Sequence, residues 1–351
     1  MFFHFRRTST ALAAFTLADM SHKAVFFRLL RTHFFGLMGC MGCFAWGQGQ
    51  PAVPGPDVSK VVRIVVPFAP GGSNDIVGRA LAQQLSAHTK RNFVVENKAG
   101  AGGSLGTEWV ARSEPDGTHL LLISSTFTMN TSIMKLRYDP VKSFVPVAML
   151  GVGPSVIAVP ANAPWKNIRE LIEDSKRRPG QVVFGSAGMG SFQHFAIEWF
   201  MQKTGARFNV VHYKGGVPAL IDLAAGHIQV SLGSLIQMQN FLKAGKIRLL
   251  AVSGPKRVAQ IAQVPTLYES GYALEVHNWW GLLAPAGTSN EWVGQLHADV
   301  NAVLMSPEMS QRLASEGAEV SPISREDFSR MITEDMQRWS QVAQTTGIRA
   351  E

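Results

Sequence analysis

Cysteine is confined to the start of the chain: Cys40 and Cys43 are the only two in 351 residues. The remainder therefore holds no thiolate metal site, no cysteine nucleophile and no internal disulfide. Its histidines are scattered, and no two stand at the helical spacing that ligates zinc. Only 17% of residues are charged, and no Lys/Arg block interleaved with aromatics occurs, which argues against nucleic acid as a partner. No P-loop lysine follows Gly71-Gly72, and no glutamate-containing zinc helix is present. His194 and His212 lack a nucleophile that sequence can pair with them, so both are read as structural histidines. No internal repeat is evident. No metal or cofactor is expected.

What is present comes in two parts. Lys23, Arg28 and Arg31 precede an apolar run from Phe34 to Trp46, closed by Ala45-Trp46-Gly47 as a small-x-small cleavage signal. The run is shorter than the roughly 20 residues a membrane span needs. Residues 1–47 are accordingly expected to be an export signal, with Met20 as an alternative start. Leu37-Met38-Gly39-Cys40 also resembles a lipoprotein signal, which makes anchoring at Cys40 the alternative outcome. The leader carries five basic residues and one acid; the totals of 33 and 25 leave 28 and 24 for the rest, a mild excess of about +4. Such a surface is compatible with an anionic ligand. Residues 48–59, rich in proline and glycine, read as a linker.

The body opens on Val61-Val62-Arg63-Ile64-Val65-Val66-Pro67, whose β-branched run predicts a buried parallel strand. Pro67 and Pro70 end it, Gly71-Gly72 permits a tight turn, and Ser73 or Asn74 is expected to cap a helix from Ile76 to about His88. Strand, glycine turn and helix N-terminus together suit a negatively charged group, and equally an ordinary βα turn. Asn97 to Ser104 superficially suggests a dinucleotide loop, but Leu105 occupies the third glycine position after Gly100 and Gly102, and that reading is rejected.

Similar small-residue loops recur. Ser124 to Asn130 is expected to follow a strand at Thr118 to Ile123 as a hydroxyl-rich loop that could bond a carboxylate or equally cap the next helix. Strands at Val145 to Leu150 and Ser155 to Val159 are separated by Gly151 and Gly153, where the first lobe is expected to end. Ser186-Ala187-Gly188-Met189-Gly190-Ser191 and Tyr213-Lys214-Gly215-Gly216-Val217-Pro218 each open a helix. Pro265 to Leu267 is expected to begin a short helix, Trp279 to Pro285 to be a strand, and 290–304, 307–316 and 325–345 to be helices. Three glycine/serine loops before helices equip an anion binder that lacks a catalytic group. One helix terminus contributes at most about 2 kcal/mol, whereas micromolar binding needs about 8, so several loops must converge.

The stretch Arg63 to Asp75 resembles the opening signature of the periplasmic receptors of tripartite tricarboxylate transporters, the Bug-type solute-binding proteins. The resemblance continues through Val94 to Gly103, Pro115-Asp116-Gly117, Tyr138-Asp139-Pro140, Ser186 to His194, Tyr213 to Ala219 and Trp280 to Thr288. It implies an α/β, two-lobed periplasmic-binding-protein (Venus flytrap) fold, type II-like with two chain crossovers. Residues 60–154 and 277–351 would form lobe 1, and 155–276 lobe 2. It implies a ligand carboxylate held partly through ordered waters by Phe68, Ala69, Gly71, Gly72, Ser73 and Asn74 on one side. Ser186, Ala187, Gly188 and Ser191 would face them, with Ser125, Thr126, Tyr213 and Ser234 completing the wall. Where members of the family often place an aspartate, this chain has Gly233-Ser234, which puts recognition of an amino group in doubt.

The reading is thus a non-enzymatic, periplasmic, monomeric receptor that delivers a small carboxylate without an ammonium group to the membrane subunits of such a transporter. Trp279 and Trp280 leave room for an aromatic acid, or belong to the core. A sensor presenting its ligand to a membrane kinase, and a hydrolase using His194, are the rival readings.

Overall fold

Alternation of buried apolar residues sets the two faces of the first half of the molecule. In β1 (Val62–Val66), Ile64 and Val66 face one side and Val65 the other. β3 (His119–Ser124) repeats the pattern, with Leu120 and Leu122 against Leu121 and Ile123. β1 pairs in parallel with β2 (Phe93–Asn97) and with β3. On one face lie α1 (Ser73–Thr89) and α8 (Asn290–Leu304), which contribute Leu81, Leu85, Trp292 and Leu296 to the core. The computed structural model describes residue 57, residues 59–315 and residues 317–349, all within one compact unit. The expected signal, its Cys40 and nearly all of the linker lie outside the described residues.

The second half is built the same way. β5 (Val183–Ser186) pairs in parallel with β6 (Asn209–His212) and β7 (Val230–Ser234). α5 (Phe192–Thr204) supplies Phe195 and Phe200 to one face, and α6 (Gly216–Ala225) supplies Leu220 and Leu223 to the other.

A single long strand joins the halves. Sequence suggested two strands broken by Gly151 and Gly153; the structure has one, β4 (Phe144–Pro160). Its first part pairs with β9 (His277–Pro285) and with β10 (Glu319–Val320), its last part with β7 and β8 (Ile247–Val252). The two glycines do not break the strand because their role is to make room. A Cβ on Gly151 would lie 2.4 Å from the Glu319 carbonyl oxygen, and one on Gly153 would lie 2.6 Å from the Trp280 ring. A register shift between Met149 and Gly151 takes up the irregularity. The chain returns from the second half through β9, whose His277 pairs with Pro154, so the two crossovers run side by side.

Other expectations shift by local chemistry. Ser124 to Asn130 is not a loop; of the two readings the helix start holds, with Ser124 as the N-cap of α3 (Ser125–Ile133), though its side chain makes no capping bond. Pro265 to Leu267 forms no helix; Thr266 bridges to Val252 and turns the chain instead. A helix missed entirely, α7 (Leu235–Lys243), follows β7 directly.

The last helix, α10 (Arg325–Thr346), touches both halves. Phe328 packs with Trp279 in one core and Trp339 joins the other. Between them Asp335 accepts hydrogen bonds from Thr128 Oγ1 (2.6 Å), Trp279 Nε1 (3.1 Å) and Trp339 Nε1 (3.1 Å). Burial raises the pKa of this carboxyl against those bonds. Trp279 and Trp280 are therefore core residues, at 6% and 1% exposure. Gly281 lies under the Phe328 ring, 2.2 Å from where a Cβ would sit. Gly281→Ala should cost about 1–3 kcal/mol through overpacking, read by urea denaturation; an unchanged midpoint would mean that β9 and α10 are not closely packed there.

Candidate functional site

The turn after β1 is held from behind by one buried carboxylate. Gly71 adopts φ +80°, which favours glycine, and its N–H donates to Asp75 Oδ2 at 2.9 Å. Asp75 also accepts from Arg79 Nε (2.9 Å) and from Asn97 Nδ2 (2.9 Å), and Asn97 Nδ2 reaches the Phe68 carbonyl at 3.1 Å. These bonds hold the Asp75 carboxyl below the usual range even though burial opposes them. Asp75 sits in the first turn of α1, where it answers the helix dipole, but its oxygens are committed to the turn. The N-cap of α1 is Gly72, not Ser73 or Asn74 as expected, and no side chain caps it. Ser73 and Asn74 are the first two helical residues, and the Asn74 Nδ2 is buried without a hydrogen-bond partner.

The sequence pointed to three helix starts at one site; the structure brings five. A small cavity is lined by Gly72, Ser73 and Asn74 of α1 and by Ser124, the N-cap of α3. Phe192 and Gln193 of α5, Gly215 and Gly216 of α6, and Ser234, the N-cap of α7, face them. Of these helices only α5 has a side-chain cap, Ser191 Oγ accepting from His194 N at 3.2 Å. N-termini left uncapped present backbone N–H groups and partial positive charge. No Lys, Arg, His, Asp or Glu lines the cavity. The lining is uncharged and gathers several helix N-termini, an arrangement that suits an anion.

The halves already touch around it. Phe192 N donates to Thr126 Oγ1 at 3.0 Å. Asn278, at the start of β9, ties Ser125 to Ser234: it accepts from Ser125 Oγ (2.6 Å) and donates to Ser234 Oγ (3.2 Å). The cavity has a volume of about 40 Å³. A wider space of about 590 Å³ shares Phe68, Ala69, Ala187 and Gly215 as walls and extends along Gly100 to Gly103, Gly188, Met189 and His212 to Lys214.

Of the residues singled out from sequence, Phe68, Ala69, Gly72, Ser73, Asn74, Thr126, Ala187 and Ser234 line the small cavity, and Gly188 and Tyr213 line the wider one. Gly71, Ser125, Ser186 and Ser191 line neither. Gly71 and Ser191 shape their turns as described, and Tyr213 donates to Asp222 Oδ2 at 2.7 Å. Asn278, Gln193 and Gln237 were missed. Gln237 lies on the helix that sequence did not reveal, and Asn278 stands alone before two tryptophans with no motif to flag it.

Sequence paired neither histidine with a nucleophile, yet Ser186 Oγ lies 2.7 Å from His212 Nδ1. That hydroxyl is fully buried, which keeps it from a substrate. His194 is buried beside His212, with ring centroids 4.6 Å apart, and its Nδ1 accepts from Gly190 N at 3.2 Å. Burial, and secondarily the charge of His212, push the His194 imidazole down to about 4. The unfolded chain then binds more protons than the folded one between about pH 6.5 and 4. Stability should fall as pH drops through that window, by up to about 1.4 kcal/mol per unit. Urea titrations at pH 7 and pH 5 should show a smaller loss for His194→Asn, whose Oδ1 replaces the accepting nitrogen. Equal losses in both proteins would contradict a neutral buried His194.

Comparison with known proteins places this geometry. Residues 77–348 match the family described as TctC, the tripartite tricarboxylate transporter family receptor. The solved periplasmic binding protein BugD is 32% identical, covers 83% of this chain and 99% of its own, and superposes with a TM-score of 0.80. The Rhodopseudomonas palustris protein Rpa4515, solved with adipate, is also 32% identical over 83% of this chain and 98% of its own, with a TM-score of 0.80. MatC from the same organism, solved with bound malate, is 28% identical over 81% and 98%, with a TM-score of 0.77. With its two-lobed periplasmic-binding-protein fold and a matched region that spans most of its length, the chain belongs to the tripartite tricarboxylate transporter receptors, a family of solute receptors and not of enzymes.

Proposed function

We propose that this receptor binds a small carboxylate lacking an ammonium group and delivers it to the membrane subunits of a tripartite tricarboxylate transporter. The observation that carries the proposal is the meeting of five helix N-termini, four without side-chain caps, around one uncharged cavity. The adipate and malate held by solved relatives support the same class. An ammonium would find no acidic partner there, since Asp75 is saturated by Gly71, Arg79 and Asn97. A cavity of about 40 Å³ has room for roughly three water-sized groups. In this reading the carboxylate head occupies it and the rest of the ligand extends into the wider space.

The ligand-facing set is then Phe68, Ala69, Gly72, Ser73, Asn74, Thr126, Ala187 and Ser234, with Gly188 and Tyr213 further out. Gly71, Ser125, Ser186 and Ser191 hold those residues from behind. The lobes that close on the ligand are 60–154 with 277–351, and 155–276, in keeping with the two half-sheets joined by β4 and β9. The receptor works as an exported monomer, cleaved after the leader or anchored through Cys40. N-terminal sequencing of the exported protein should find a start near Gln48; cytosolic protein with its leader intact would overturn export.

Gly72 offers the direct test of the site. Its φ of −76° suits any residue, and a Cβ there meets nothing closer than the Ala69 carbonyl at 3.6 Å. Gly72→Val should fold, losing about 1 kcal/mol at the cap, yet fill the cavity and weaken carboxylate binding at least tenfold by calorimetry. Succinate should bind more tightly than aspartate, and glutarate more tightly than glutamate, to the unaltered protein. Tighter binding of the amino-bearing acids would overturn the ligand class, and undiminished affinity in the valine variant would put the site elsewhere.

A further inference from the structure

One group on the cavity wall is left over once a carboxylate has been seated. Gln237, the third residue of α7, is 7% exposed and makes no hydrogen bond to the protein among the described residues. Its amide is folded back onto two glycines. A Cβ on Gly233 would lie 2.1 Å from its Nε2, and one on Gly216 would lie 2.8 Å from its Oε1. The second of those positions is also 3.2 Å from Gln193 Nε2, so two amides stand side by side. Both line the small cavity, as does Asn74, whose buried Nδ2 also lacks a partner.

A carboxylate offers only acceptors. It can satisfy the helix N–H groups, Asn74 Nδ2 and the donor of each glutamine. It cannot satisfy an amide oxygen, whichever way the amide is turned. In the open cleft water can donate to that oxygen, and a ligand that displaces the water on closure must bring a donor in its place. An ammonium would donate but carries a charge that nothing in the cavity offsets. A hydroxyl donates without a charge.

We propose that the Gln237 amide, lodged against Gly233 and Gly216, is a specificity-determining group that selects acids bearing a hydroxyl beside the bound carboxylate over the same acids without it. The proposal rests on the carboxylate reading above. A site built to bond a hydroxyl rejects the analogue that lacks it, because its own polar group is then left unpaired. Gly233 and Gly216 matter because each leaves the space that the amide fills.

Calorimetry with matched pairs tests this: malate against succinate, 2-hydroxyglutarate against glutarate, lactate against propionate. The unaltered protein should prefer the hydroxylated member at least tenfold. Gln237→Met keeps the length of the side chain and removes its hydrogen bonds. Gly233→Ala keeps the glutamine in the sequence but puts a methyl where its Nε2 sits, which displaces the amide. Both variants should reduce the preference to threefold or less, in protein that still unfolds cooperatively. Equal affinity for the two members of each pair, or a preference that survives in either folded variant, would overturn the role of Gln237 while leaving the carboxylate reading intact. Binding of no acid in the panel would overturn that reading and this one with it.

Discussion

A buried helix N-terminus has N–H groups that must find acceptors, and the structure turns on that constraint. Parallel strands carry each chain segment to the same edge of its half-sheet, and the helices that follow all begin there. α1 and α3 begin at one half, α5, α6 and α7 at the other, and the small cavity is the point where they meet. In α5 the chain satisfies the demand itself through Ser191. In the other four no side chain does so. In the function proposed above, an acceptor from outside the protein completes them, and on that proposal the site needs no cationic residue.

That arrangement requires the two halves to approach closely without being one rigid slab. β4 supplies the link, and its glycines tolerate what crosses it: the Trp280 ring over Gly153 and β10 against Gly151. α10 runs along both cores, with Phe328 at one end, Trp339 at the other and Asp335 bonded between them. Replacing one partner of that trio would leave a buried polar group unpaired, the costlier outcome in a low-dielectric interior. The joint is thus polar at its centre and apolar at both ends.

The order of strands and helices was legible in the sequence because the elements are strongly patterned and separated by glycine and proline. α8 falls where the sequence puts it, over 290–304. The failures share a physical cause. Gly151 and Gly153 read as breakers, whereas tertiary contacts across β4 demand glycine within a continuous strand. Ser125 to Ile133 and Leu235 to Lys243 are helices that start directly from a strand, with no turn residues to announce them. Much of the cavity lining was legible in its loops, Phe68 to Asn74 above all, since glycine turns before helices carry a mechanism. Asn278 and Gln237 were illegible because their roles come from what lies across the fold: Asn278 from Ser125 and Ser234, Gln237 from two glycines on β7 and α6.

Binding through dipoles in place of charges also bears on release. A lysine or arginine buried in the cleft would have to be desolvated with each closure and rehydrated with each opening. Backbone N–H groups at a helix start keep their orientation throughout, so closure reorganises little besides water and ligand. Each contribution is modest, about 0.3–1 kcal/mol for a helix terminus and about 1.5–3 for a hydrogen bond to a charged group. Four uncapped termini with a few such bonds reach the roughly 8 kcal/mol of micromolar affinity only while both halves contribute. Separating the halves removes α5, α6 and α7 from the cavity wall together, and what remains falls well short of that figure. Under the proposed function, a receptor of this design would hold its ligand when closed and give it up when pulled open, which is the behaviour delivery to a membrane partner requires.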